Sequence, residues 1–443
     1  MEIRQMGAAE LGRAIRAGEA DAVEVTEAFL EAIAAHPDAG DIYARTTPER
    51  ARAEAEAAAG RAKAGTLRGP LDGVPISWKD LYDSAGVATE AGSALLEGRV
   101  PSRDALVLKR ATQAGMVCLG KTHMTELAFS GLGMNPVTAT PPNAVREGCA
   151  PGGSSSGAAV STKLGLAAAG IGSDTGGSVR IPAAWNDLVG LKTTAGLISL
   201  EGVVKLCPKF DTVGPLARSV EDAALLHAVL SDSVPVDLTG ADAADLRLLV
   251  CETFALDDVE EEPLAAFEDA VDRLAAAGAE IVRAKVPSVA DAMGLSGVLY
   301  TPEAYATCGE VIEAAPEKMY PMVLERFRAG RDVSVIDYLR GWQALRGFRR
   351  AYAAETAGFD AVLVPSGPIL PPDAARLLAE PEYFVERNLM ALRNTRIGNL
   401  LGLCALTLPT GVPSCGLMAM GRPFGEAHLL RVGAALEGAL GVG

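Results

Sequence analysis

The stretch 151–180 restricts the possible folds more than any other part of the chain. It opens on PGGSSSG, continues through AAVSTKLGLAAAG and closes on SDTGGSVR. A helix of Ala, Ser and Gly has almost no side-chain volume, so neighbouring backbones can approach it closely. The order predicts a Gly/Ser loop, a small-residue helix, a strand and a second Gly/Ser loop. The two loops are thereby expected to meet at one place.

The flanking sequence supplies the rest of the architecture. Residues 7–64 read as helices. Val23, Phe29, Leu30 and Ile33 recur at near-helical spacing, and PERARAEAEAAAGRAKAG is Ala-rich and charged, with Gly65 closing it. Between 70 and 120, the strands VPISWK and MVCLG flank a helix at ALVLKRATQAG. Beyond 240 the alternation resumes. LRLLVCE and AEIVRAKV read as strands around the helix EEPLAAFEDAVDRLAAAG, residues 333–357 as a long amphipathic helix, and AVLVPSGP as a strand. This pattern predicts an α/β fold, a single large domain over 1–443 with a mixed sheet between helix layers. A signature core spans about 70–222, and a more variable pocket region about 240–400. The segment 297–357 carries Tyr300, Tyr305, Tyr320, Tyr338 and Trp342, aromatics that either cover a site or pack as plain core.

Charge and cysteine usage exclude several function classes. The formal net charge of −16 repels phosphate backbones and anionic lipid, so neither nucleic acid nor a membrane surface is an expected partner. Seven widely spaced cysteines without a C-x-x-C argue against a disulfide framework or a zinc site and for a reducing cytosol. The N-terminus lacks the apolar stretch of a signal peptide, and no uncharged apolar run reaches spanning length. A cytoplasmic protein is expected.

Two motifs mislead. Residues 115–122, GMVCLGKT, satisfy the letters of a P-loop, but Met116, Val117, Cys118 and Leu119 read as a buried strand after a helix capped by Gly115. Residues 153–157, GSSSG, match the nucleophile elbow of α/β-hydrolases, which would make Ser155 the nucleophile and demand a downstream histidine. Of His36, His123, His227 and His428, only His428 has a workable chain order, and its context GEAHLLRVG does not read as a loop at a strand end.

Without a suitable histidine, the available base is lysine. A lysine acts as a base only when neutral, so burial or a nearby positive charge must lower its pKa. Lys79 ends the apolar run VPISW, where a strand would carry it inward. Here the chain resembles the amidase signature family. The matching segments are GVPISWKD (73–80), LGKTHMTELAFSG (119–131), PGGSSSG (151–157), GSDTGGSVRIPAAWNDLVGLKTT (172–194) and DTVGPLARSVED (211–222), covering about residues 20–230. The likeness continues more weakly through NTRIGNLLGLCALTLPTG.

The resemblance implies the amidase signature fold and a Ser–Ser–Lys triad. It places the nucleophile at Ser178, the bridging serine at Ser154 and the base at Lys79. It also implies a cis Gly153–Ser154 peptide and an oxyanion hole built from the N–H groups of Thr175, Gly176, Gly177 and Ser178. Ser155 is expected to hydrogen-bond within the relay or to cap a helix, and Asp174 and Arg180 to form a buried pair holding the nucleophile loop. Cys207 is expected to be inert. The implied activity is hydrolysis of a small carboxamide through an acyl-enzyme, with no metal or organic cofactor.

Three other readings are carried beside it: a transamidase resembling the A subunit of glutamine amidotransferases, a His-dependent esterase using Ser155, and a silent binding protein of the same fold. The segment GMNPVTATPPNAVREGCAPGG departs from the usual pattern and is expected to shape the pocket. A homodimer is one assembly to consider, being the commonest form of soluble enzymes.

Overall fold

The apolar runs VPISWK and MVCLG become adjacent strands of one continuous eleven-stranded sheet. The computed structural model describes residues 3–442. The strands are β1 (Tyr43–Thr46), β2 (Pro75–Lys79), β3 (Val117–Thr122), β4 (Gly170–Asp174), β5 (Val189–Lys192), β6 (Thr212–Ala217), β7 (Arg247–Cys251), β8 (Glu280–Ala284), β9 (Ala361–Pro365), β10 (Cys404–Pro409) and β11 (Gly416–Gly421). Their spatial order is β1-β3-β2-β4-β6-β5-β10-β11-β9-β7-β8. β2 runs parallel to β3 and β4, and β7 runs parallel to β8 and β9. The remaining pairs are antiparallel, so the sheet is mixed as expected.

Strands β2 to β6 are buried along their whole length, which requires apolar or small residues on both faces. Helices supply the cover. Ser156–Lys163 packs on β2 and β4, Val220–Ser231 on β6, Arg180–Trp185 on β5 and β10, and Glu426–Leu440 on β10 and β11. The helix Glu261–Ala276 buries Phe267, Ala270, Val271 and Leu274 along one face, a 3.6-residue repeat, and packs on β9 and β11. Among the described residues, no helix is long and apolar enough to cross a membrane.

The expectation of helices throughout 7–64 fails at Tyr43–Thr46, which form β1 at the sheet edge, antiparallel to β3. A four-residue edge strand with two polar members shows no alternation to announce it. Its ladder partner, about 75 positions away, specifies it. The consequence reaches the centre of the molecule, because β1 delivers Arg45 to Asp80, Nη1 to Oδ1 at 2.8 Å.

The small-residue stretch behaves as its composition predicts. A Cβ on Gly172 of β4 would lie 2.6 Å from Ser155 Oγ. A Cβ on Gly157, in the first turn of the helix, would lie 2.5 Å from Ile42 O and 2.8 Å from His123 O. Alanine is intrinsically the better helix former by about 1 kcal/mol, but the atoms it would meet are backbone and cannot swing aside. Overpacking of that kind costs about 1–3 kcal/mol. Gly157→Ala is therefore expected to lower the urea midpoint of unfolding, and an unchanged or higher midpoint would contradict this packing.

Candidate active site

β2 and β4 are neighbours, and both end at the same edge of the core. β2 delivers Lys79 there, and β4 delivers Ser173 and Asp174, followed by the Thr175–Val179 loop. The first Gly/Ser loop reaches the same place. Ser155 N–H donates to Ser178 O at 3.2 Å, and Thr125 N–H donates to Ser154 O at 3.1 Å. The Gly153–Ser154 peptide is cis.

Lys79 is fully buried. Its Nζ lies 2.7 Å from Ser154 Oγ and 2.8 Å from Ser173 Oγ, as donor to both. Burial brings the ammonium pKa down to about 7, against the opposing pull of the Asp174 and Asp211 carboxylates. The adjacent Asp80 does not neutralise it, because successive strand residues point to opposite faces. Asp80 is occupied by Arg45 at 2.8 Å and by Lys121 at 3.2 Å. Lys121 also donates to Thr89 Oγ1 at 3.0 Å, so the lysine of the P-loop letters lies within β3, buried and paired.

Ser178 lies at the loop tip, beside a narrow cleft lined by Thr175, Gly176, Phe129, Tyr300, Arg326 and Arg396. Among the described residues its hydroxyl takes no hydrogen-bond partner. The Lys79–Ser154 contact is thus formed, while the Ser154–Ser178 contact is open.

Asp174 organises the loop. It accepts from Gly177 N–H at 2.8 Å and Val179 N–H at 3.2 Å. Arg180 binds it through Nε and Nη2, each at 3.0 Å, and Asn399 Nδ2 donates to it at 2.9 Å. Burial pushes the Asp174 carboxyl up, but Arg180, Lys192 and Asn399 override this and bring it down to about 2. Because Asp174 uses the Gly177 N–H, the expected set of four loop donors is reduced. Among the described residues, the N–H groups of Thr175, Gly176 and Ser178 remain without partners. Gly177 has φ +143, and a Cβ there would lie 2.2 Å from Thr395 Oγ1.

Ser155 departs from both expectations. It occupies the position before the helix Ser156–Lys163 without capping it. Its hydroxyl instead exchanges hydrogen bonds with Ser173 O and Ser173 N, both at 3.2 Å. The reason is packing: Gly172 leaves just enough room for that hydroxyl against β4. No histidine among the described residues touches Ser155. His428 pairs with Asp360 at 3.1 Å, and His227 is buried without a ring partner, so the elbow reading has no geometry.

Sequence reasoning missed three residues here. Ser173, the second hydroxyl on Lys79, was visible only as the residue before DTGGS. Asp211, the first residue of DTVGPLARSVED, accepts from Thr175 Oγ1 at 2.6 Å and from Leu206 N–H at 2.9 Å. Asn399 lies more than two hundred positions from the carboxylate it serves. Of the aromatics expected over the site, Tyr300 lines the cleft, while Tyr338 and Trp342 gather around Lys209. Burial pushes the Cys207 thiol well above its ordinary pKa, which disfavours the thiolate. Among the described residues, no group of three or more His, Cys, Asp or Glu side chains is arranged to hold a metal ion.

Comparison with known proteins identifies the family and the fold. Residues 24–430 match the sequence model of the family described as amidase. The chain is 36% identical to a 2-amino-5-chloromuconic acid deaminase of Comamonas testosteroni, over 100% of this chain and 98% of that protein. It is 32% identical to the glutamyl-tRNA(Gln) amidotransferase A subunit of Anaeromyxobacter dehalogenans, over 99% and 97% of the two chains. A crystal structure of an amidase superposes with a TM-score of 0.88 at 30% identity, covering 98% of this chain and 99% of that one.

The Asp174–Arg180 pair generates a stability prediction. Removing one partner of a fully buried pair leaves an uncompensated charge, at about 3–5 kcal/mol. Asp174→Ala is expected to destabilise the protein by that amount in urea unfolding, and a loss below about 1 kcal/mol would contradict a structural pair.

Proposed function

The chain belongs to the amidase family of hydrolases acting on carbon–nitrogen bonds, and from that premise we propose that it cleaves a small carboxamide to a carboxylate and ammonia or an amine through a Ser178 acyl-enzyme. The observation that carries this reading is Lys79: buried, held to the hydroxyls of Ser154 and Ser173, and poised between its charged and neutral forms near neutral pH.

A neutral lysine has two N–H donors and one lone pair. With Ser173 accepting one N–H, the lone pair is free to accept the Ser154 O–H. Ser154 in turn takes the proton of Ser178 as Ser178 Oγ bonds to the amide carbon. The negative charge that develops on the carbonyl oxygen is met by the N–H groups of Thr175, Gly176 and Ser178, which need no reorganisation at the moment of reaction. Collapse of the tetrahedral intermediate breaks the C–N bond. The proton returns from Lys79 through Ser154 to the departing nitrogen. Water then adds to the acyl-enzyme by the same relay run again, releasing the carboxylate and restoring Ser178. Ser155, Asp174 and Arg180 act by positioning the two loops.

An amidotransferase reading, prompted by the relative of that name, requires a partner that takes up the released ammonia. Full turnover of small amides other than glutamine by this chain with no partner present favours the hydrolase. The experiment is ammonia release from small primary amides, aryl amides and ureides. Ser178→Ala and Lys79→Ala are each expected to lower kcat/KM by on the order of 10³-fold or more. Activity surviving Ser178→Ala would overturn the mechanism.

The pH dependence follows from the sign of the lysine shift. Below its pKa Lys79 is protonated and cannot accept the Ser154 proton. kcat/KM is therefore expected to rise with pH through about 7 and then level off. A profile that is flat from about pH 6 to about pH 8.5 would exclude Lys79 as the base.

A further inference from the structure

The chain carries 56 acidic against 40 basic residues, and several of its buried or half-buried arginines hold a carboxylate. The buried Arg180 has Asp174 at 3.0 Å, and the half-buried Arg61 and Arg45 have Asp72 at 2.5 Å and Asp80 at 2.8 Å. Two guanidiniums beside Ser178 hold none. Arg326, on the helix Pro321–Arg328, and Arg396, on the helix Arg393–Leu400, both line the Ser178 cleft. Both also line an adjoining cavity of about 450 Å³, so they stand between that cavity and the nucleophile. A Cβ built on Gly176 would lie 3.9 Å from Arg396 Nε, which places this side chain against the nucleophile loop.

Neither cation has a carboxylate partner among the described residues, and the Arg396 side chain makes no hydrogen bond there. Arg326 lies over the ring of Phe129, 4.3 Å from its centre, a contact that leaves its N–H edge free. Its Nη1 is buried without a partner, and so is the hydroxyl of Tyr300, which lines both spaces. The acid next in sequence, Glu325, also lines that cavity, but it is exposed and faces Arg328 at 3.4 Å. Burial, and then the charge of Arg396, bring the Arg326 guanidinium down to about 9. Two like charges desolvated together with unused donors are unfavourable. An anion entering between them removes the penalty.

We propose that Arg326, Arg396 and Tyr300 form a carboxylate-binding subsite, so that the substrate is a small amide bearing a carboxylate group at its other end. The guanidinium fork matches a carboxylate in shape as well as charge. The remaining cavity wall includes Met322, Phe384, Val385 and Leu389, which suits a short hydrocarbon spacer. The substrate class is thus the monoamides of short dicarboxylic acids. This deepens the proposed function and rests on Ser178 as the nucleophile.

The test separates binding from turnover. Ser178→Ala protein is titrated calorimetrically with the monoamides of dicarboxylic acids of about three to six carbons and with the matching neutral diamides. At least one monoamide is expected to bind about thirtyfold or more tightly than its diamide. Arg326→Gln and Arg396→Gln in that background are each expected to abolish the difference, and Arg396→Lys to restore part of it. Because neither cation has a carboxylate partner, both glutamine variants are expected to melt close to the parent. A clearly lower melting temperature would mark the arginines as structural and overturn the proposal.

Equal binding of charged and neutral ligands, or no binding of any monoamide, would also overturn it. Ammonia release from wild-type protein tells the two proposals apart. Equal turnover of charged and neutral amides removes the subsite and leaves the hydrolysis. Preferential binding of monoamides with no ammonia released removes the hydrolysis and leaves the anion-binding cleft.

Discussion

The burial of one lysine is the constraint around which this structure is arranged. Lys79 stands at the end of a fully buried strand, and its Nζ meets two hydroxyls rather than a carboxylate. Were a carboxylate in contact, the ammonium would be held charged and the residue would be only a structural ion. The fold prevents this by occupying the nearby acids elsewhere. Asp80 is taken by Arg45 and Lys121, Asp174 by Arg180 and Asn399, and Asp211 by Thr175 and two backbone N–H groups. Their residual fields pull the lysine towards charge, but desolvation outweighs them.

Asp174 is the second organising centre, because it joins parts of the chain that are remote in sequence. Its hydrogen bonds shape the loop through Gly177 and Val179. Its partner Arg180 reaches Thr395 O at 2.7 Å and Asn399 Oδ1 at 2.6 Å on the helix Arg393–Leu400. Thr395 closes the connection by donating to Gly176 O at 2.8 Å. The Ser178 loop is therefore fixed against a helix from the C-terminal half, and that helix presents Arg396 to the cleft. The geometry around Ser178 and the charge of the cavity beside it are set by one packed unit.

Much of this was legible in the sequence because the signals were local or dense. Alternating strands and helices, the Gly65 cap and the small-residue run all rest on interactions within a few residues. The ordered motifs brought Lys79, Ser154 and Ser178 into view, although no spacing rule states which hydroxyl faces which. β1 was hidden because an edge strand takes its conformation from its partner. The part played by Ser155 was hidden because its hydroxyl is equally able to cap a helix or to bond a strand, and only the gap over Gly172 decides between them.

Residue type and order alone carried the family, the mixed α/β architecture and the candidacy of Lys79, Ser154 and Ser178. Those readings rest on local pattern, which packing does not alter. Packing settled which acids stay away from Lys79, which N–H groups of the Ser178 loop remain free, and which cations face the cleft. Each of these depends on desolvation and on contacts between residues 225 positions apart, such as Asp174 and Asn399. Arg326 and Arg396 are two among 40 basic residues when read in order. Standing beside Ser178 without a hydrogen-bonding partner is what distinguishes them, and that is a property of the folded chain alone.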